Sequence, residues 1–248
     1  MVISVIRSIR SAGRRRGSLP RPGLLGALVM SGLLLGCASL PESVERSPSH
    51  ARVAEQSPFR TAIEEELAQH PGQSGFRLLG DGLDAFVARM VLADIATDSL
   101  DVQYYLFHGD DSGHALARQL LDAADRGVRV RLLIDDMATA GRDAGMVAMD
   151  SHPNVEVRLF NPFANRTSRV LEMAVRFGRV TRRMHNKSFT ADGIVTIVGG
   201  RNVGNEYFSA DPNVEFGDLD VMGIGPISAE VSAEFDLYWN SELAYPAA

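Results

Sequence analysis

The sequence predicts an α/β domain with a mixed, mostly parallel sheet flanked by helices. Three observations lead there. β-rich runs alternate with helical runs at short intervals. A single glycine is placed to stop a helix just before one of the strands. An apolar content of 45% is enough to fill a core.

Residues 76–79 read as a short strand. Asp81 and Gly82 open a helical pattern over 83–96, where Phe86, Val87, Met90, Val91 and Ile95 recur at helical spacing. Residues 99–107 (SLDVQYYLF) alternate and favour a strand. Ser112 is placed to cap a helix running to Arg126, and Gly127 to end it. Residues 128–134 (VRVRLLI) follow as a strand. Strand, helix and strand within roughly thirty residues make a βαβ unit, which implies parallel pairing. A helix near 143–151 and a strand at 155–160 repeat the pattern. Residues 184–190 and 194–198 read as two strands joined at Asp192-Gly193. Residues 220–224 suggest another strand, and Phe235, Leu237, Tyr238 and Trp239 suggest core packing near a terminal helix.

The amino terminus reads as an address. Residues 1–36 hold six arginines and no acid, with an apolar run at 24–35 followed by Gly36 and Cys37. A positive flank, a short apolar run and a small residue form a secretory signal pattern. The run is too short for a comfortable membrane span. Residues 34–37 (LLGC) resemble the bacterial lipobox, which implies that Cys37 is lipidated and becomes the mature amino terminus. Cys37 is the single cysteine, so no intrachain disulfide or cysteine zinc site can form. The expected organisation is an export segment at 1–37, a flexible tether at 38–74 and a domain at 75–248. The tether is rich in Ser, Pro, Glu and Gln, with one short helix near 61–69. The expected location is the bacterial cell envelope, membrane-anchored through Cys37. Without the leading arginines the formal charge of −6 becomes −12, which argues against a nucleic-acid coat protein.

The chemistry concentrates at 185–202. On a strand, His185 and Lys187 project to one face. Gly199 and Gly200 permit close backbone approach, and Asn202 adds an amide donor. This set suits a phosphodiester. An imidazole can attack phosphorus and leave later, a lysine can neutralise the non-bridging oxygens, and glycines with an amide complete a cradle. Lys187 is the only lysine beside 24 arginines, so a compact ammonium stands where the chain otherwise uses a planar fork.

The pattern H-x-K-x4-D-x6-G-G-x-N, carried by His185, Lys187, Asp192, Gly199, Gly200 and Asn202, resembles the signature of the phospholipase D superfamily. Residues 99–107, 126–136 (RGVRVRLLIDD), 155–163 (VEVRLFNPF) and 183–208 look like the cardiolipin synthase branch, particularly its C-type bacterial members. The likeness covers about 76–242.

The resemblance implies a phospholipase D-like fold, here as a single half. It implies that His185 is the nucleophile or its general-acid counterpart, and that Lys187, Gly199, Gly200 and Asn202 hold the phosphate. Asp192 belongs to the catalytic motif, with its expected role in the local turn. A downstream acid usually holds the histidine's far nitrogen. Asp218 best matches its place, with Asp220 second and Glu206 a weaker candidate. No cofactor or metal is implied, although His108 and His114 flank Asp110-Asp111, so activity should survive a chelator. The implied partners are a membrane and an anionic phospholipid such as phosphatidylglycerol. A basic run precedes the motif (Arg166, Arg169, Arg176, Arg179, Arg182, Arg183) and would suit anionic headgroups.

One departure matters. The chemistry needs two histidines, one on each side of phosphorus, and this chain has one H-x-K. A second half-site would come from a homodimer or from a missing C-terminal half. Otherwise the chain is an inactive half that binds anionic lipid. The C-type resemblance favours the missing half. A dimeric nuclease of the superfamily is the alternative, against which the acidic balance and the lipid anchor both argue.

Overall fold

The computed structural model describes residues 39–41, 44–165, 169, 178 and 181–247. The export segment, with Cys37, lies outside them. Among the described residues, eight strands form one sheet: β1 (Gly75–Leu79), β2 (Ser99–Tyr104), β3 (Arg129–Asp135), β4 (Val155–Phe160), β5 (Ser188–Ala191), β6 (Val195–Gly199), β7 (Asp220–Ile224) and β8 (Ala244–Pro246). Their order is β1-β7-β6-β5-β2-β3-β4-β8. The described helices are α1 (Pro58–Gln69), α2 (Gly82–Ile95), α3 (Asp111–Asp125), α4 (Asp143–Asp150) and α5 (Pro226–Trp239).

The α/β class holds, but the sheet is not mostly parallel. Only β2–β3 and β3–β4 pair parallel, and the other five pairings are antiparallel. The reason is connection length. α3 and α4 supply the crossovers that parallel neighbours need, whereas β5 and β6 are joined by a tight turn. That turn has Asp192 at φ 54° and Gly193 at φ 66°, both left-handed, within the three residues that separate the paired Ala191 and Val195. The helix expected to be capped by Ser112 is capped by Asp110, whose carboxylate accepts from the Gly113 N–H.

Side chains alternate across the sheet, so neighbouring residues serve different cores. Leu132 joins Ala85, Leu92, Leu116 and Leu120, beneath α2 and α3. Leu133 joins Phe235 and Trp239 of α5 on the other face. Buried charges in these layers pair across the sheet. Arg131 donates two hydrogen bonds to its register partner Asp101, at 2.7 and 2.8 Å, and stacks on Phe235.

Residues 46–57, expected within a flexible tether, instead run along the domain as a strap. The Arg46 guanidinium donates to the Ala244 carbonyl, and the Ala51 N–H donates to Asp236. The Trp239 indole donates to Ser49 Oγ, and the Ala54 N–H donates to the Asp192 carbonyl. Arg46, Ser49, Ser57 and several backbone groups of this segment hydrogen-bond to the sheet and α5. Where the strap passes the hairpin, a side chain at Gly193 would collide with the Arg52 carbonyl. The strap leads into α1, which starts earlier than expected because Ser57 caps it and Pro58 fills its first turn.

Candidate active site

The register of the sheet decides where the reactive residues gather. Ser188, at the start of β5, pairs with Gln103 near the carboxyl end of β2. Residues 185–187 therefore lie beyond the carboxyl ends of the parallel strands, the usual place for a ligand site in such sheets. The carboxyl end of β6, at Gly199, and the start of β7, at Asp220, reach the same edge.

His185 and Lys187 meet there, though not on a regular strand: β5 begins only at Ser188. Lys187 Nζ is 3.3 Å from His185 Nδ1 and donates to the His185 carbonyl at 2.7 Å. The imidazole is exposed and Lys187 is buried. Burial holds the ammonium below its ordinary value, while the charges of Asp218 and Asp220 pull it back up. The ammonium's charge is thus held close to an open imidazole, as a site for an anion requires.

Asn202 is buried at the base of this edge. Its Oδ1 accepts from the Leu106 N–H at 3.0 Å, and its Nδ2 donates to the Tyr207 hydroxyl at 3.0 Å. A carboxamide carries two N–H donors. The second has no partner among the described residues.

The glycines do something other than expected. A Cβ on Gly199 would strike Asp220 and the Leu219 carbonyl, and one on Gly200 would strike the Asp218 carboxylate. The close approach they permit is to the 218–220 segment of the protein itself.

Asp192 is not at the reactive end. It follows β5, seven residues beyond His185, about 20 Å away for extended chain. Its fully buried carboxylate accepts from the N–H groups of Thr97, Asp98 and Ser99 and from the hydroxyls of Thr97 and Ser57. It ties the hairpin, the entry to β2 and the strap together. Its place in the catalytic set is corrected to a structural one.

None of the acids expected behind His185 hydrogen-bonds to it among the described residues. Asp218 is exposed; it accepts from the Leu219 N–H and makes no hydrogen bond to His185 among the described residues. His185 Nδ1 faces Lys187 instead, so Asp218 acts on the ammonium's charge. Asp220 is fully buried, bonded to Arg89 at 2.8 Å and to the Arg201 N–H at 3.2 Å. Glu206 pairs with His108 at 3.0 Å. His108, Asp110 and Glu206 bring one ligand atom each within 4.8 Å of one another, without His114. Asp110 already accepts from Ser112, Gly113 and Asn205, and His108 and Glu206 satisfy each other.

The basic run is partly tied down. Arg183 pairs with Asp135 at 3.1 Å, and Arg169 pairs with Asp136 at 3.3 Å. Arg182 is exposed, and Arg166, Arg176 and Arg179 lie outside the described residues.

Two residues at the site escaped the sequence reading. Asp135, at the end of β3, accepts from the Met184 N–H at 2.8 Å, fixing the backbone just before His185. Tyr105 lays its ring against His185, with centroids 4.7 Å apart. Both stand at carboxyl ends of β-runs, a position that marks ligand contact only once the strand order is known.

A family model, cardiolipin synthase, PLD-like domain, matches residues 92–239. This chain belongs to the phospholipase D superfamily, in its cardiolipin synthase-like branch. It is 54% identical over 179 residues to cardiolipin synthase C of Escherichia coli strain K12, covering 72% of this chain and 38% of that protein. It is 31% identical over 173 residues to cardiolipin synthase A of Pseudomonas putida strain F1, covering 68% of this chain and 34% of that protein. Phosphatidylserine synthase of Haemophilus influenzae Rd KW20 shares the fold at a TM-score of 0.51 and 15% identity, over 76% of this chain and 43% of that one. The chain thus spans little more than a third of the length of these cardiolipin synthases.

Proposed function

We propose that this domain is one half-site of a phosphatidyl-transferring enzyme that acts on anionic phospholipid, as a cardiolipin synthase does. The observation that carries the reading is the buried Lys187 ammonium 3.3 Å from the open His185 imidazole, beyond the carboxyl ends of the parallel strands. In the proposed reaction a His185 ring nitrogen attacks the phosphorus of a phospholipid. A phosphorus–nitrogen bond forms, and the bond to the leaving alcohol breaks. A second histidine protonates that alcohol. The hydroxyl of another lipid, or water, then attacks, gives its proton to the second histidine and releases His185. Lys187 and the Asn202 N–H hold the non-bridging oxygens as their charge grows.

The second histidine comes from the remainder of a longer chain or from a second copy. The proposed setting is a membrane surface, with the protein anchored by lipid on Cys37. No described helix is long and apolar enough to cross a bilayer.

The test incubates the protein with vesicles of isotopically labelled phosphatidylglycerol and separates the lipid products. With the second half-site supplied by a second copy, turnover with a labelled protein adduct is expected, and His185→Ala abolishes both. Full turnover by His185→Ala would sink the mechanism. For the anchor, Cys37→Ser should release the protein from the membrane fraction; unchanged retention and processing would refute it.

A further inference from the structure

Two tyrosines, the last residue of β2 and the one after it, have different fates. Tyr104 is fully buried, and its hydroxyl accepts from Arg89 at 2.7 Å, within the core. Tyr105 follows it and turns to the reactive edge. Its ring centroid is 4.7 Å from that of His185, with the planes at 47°. Lys187 Nζ lies 5.5 Å from the same centroid. Among the described residues, this is the one aromatic ring that both side chains share. Burial raises the phenol above its ordinary value, as does the charge of Asp135, against Arg183. At neutral pH the ring therefore carries no negative charge that would compete with an anion.

An exposed imidazole is free to turn about its outer torsion, which has broad, roughly two-fold preferences. One turn takes Nδ1 away from Lys187 and misdirects the other ring nitrogen. We infer that Tyr105 is a positioning residue: its ring is the wall that keeps His185 turned with Nδ1 toward Lys187 and the second nitrogen toward the incoming phosphate. The ring face acts, and the hydroxyl does not. Its face also favours the Lys187 ammonium through its quadrupole. This role rests on the phosphoryl-transfer reading of the site.

The experiment uses the full chain in detergent micelles with its six histidines labelled at 13C in the ring. His185→Asn identifies the His185 signal. Two quantities are measured: the order of the His185 ring from carbon relaxation, and the affinity for inorganic phosphate from the shift of that signal. Tyr105→Phe should match the parent in ring order and keep phosphate affinity within about twofold, whereas Tyr105→Leu should loosen the ring and weaken phosphate about tenfold. The other five histidines report whether each variant is folded. If Tyr105→Leu fails to fold, Tyr105→Met, of similar length without a ring face, takes its place. Unchanged ring order in the folded variant lacking the ring would overturn the inference, as would a loss in Tyr105→Phe equal to that in Tyr105→Leu. If phosphate leaves the parent's His185 signal unmoved, the phosphoryl reading fails by itself, and ring order still decides the role of Tyr105.

Discussion

The two ends of β5 carry parts of one sequence motif and are built in opposite ways. At the His185–Lys187 end, an exposed imidazole stands beside an ammonium that burial disfavours. At the Asp192 end, a fully buried carboxylate is met by donors from two other segments of chain, the strap and the entry to β2. The first end keeps hydrogen-bonding capacity unspent, which a substrate needs. The second spends it, which a fold needs. A motif read as one constellation is therefore a reactive end and a structural end joined by a short strand.

The sharpest way to break this comparison is Asp192→Ala. It orphans donors at Thr97, Asp98, Ser99 and Ser57. Ser57 and Ser99 are buried whereas Thr97 and Asp98 are nearer solvent, so at roughly 1–3 kcal/mol for each buried group left unsatisfied a loss of about 2–6 kcal/mol is expected. Urea unfolding measures it, and phosphate binding by the fraction still folded should be unchanged. A loss below about 1 kcal/mol would mean the carboxylate does not hold the hairpin.

Asp220→Asn tests whether the reactive edge has a structural acid of its own. Its partners Arg89 and Arg201 would be left short of charge in the core. Breaking a buried pair in this way costs about 3–5 kcal/mol. An effect within about 0.5 kcal/mol, the range of an ordinary surface change, would return Asp220 to the candidates for the acid behind His185.

Lys187→Met should behave in the reverse sense, leaving stability unchanged or higher by up to about 1 kcal/mol while phosphate affinity falls at least tenfold. The sign follows from burial. With the folded pKa of Lys187 held below its ordinary value, the unfolded chain binds more protons between the two values. Stability therefore climbs as pH rises through the folded value toward 10.5. Lys187→Met should remove that alkaline rise, and pH-dependent denaturation curves of the two proteins measure the difference.

The smallest effect on folding belongs to Asp218→Asn. Asp218 is exposed, so stability should stay within about 0.5 kcal/mol. Its charge nevertheless helps keep Lys187 protonated. Because Lys187 is the only lysine, a single side-chain resonance reports its titration, and that titration should move down further in the variant. An unmoved titration would show that the carboxylate does not reach the ammonium.

Much was legible from residue patterns. The strands at 155–160 and 220–224 and the turn at Asp192-Gly193 were placed correctly, because alternation and turn chemistry are local. His185, Lys187 and Asn202 stood out together because their spacing lies within one hairpin and the loop that follows it, and the fold sets His185 and Lys187 side by side. The sheet was misread as mostly parallel, since strand order depends on pairings between segments far apart in the chain. The strap was read as a tether because serine and proline mark a solvated linker until a folded partner takes up their hydrogen bonds.

The sequence by itself determined the elements, the family and the His185–Lys187 pair, all of which rest on spacing along a few turns or one strand. Tertiary structure alone decided which acid does what. Asp192, Asp218 and Asp220 are the same residue type within one stretch of chain. Yet one holds a hairpin, one tunes an ammonium and one neutralises Arg89 in the core. A carboxylate's role is set by the donors and charges around it, and those arrive from β2, α2 and the strap, segments whose approach no local pattern encodes.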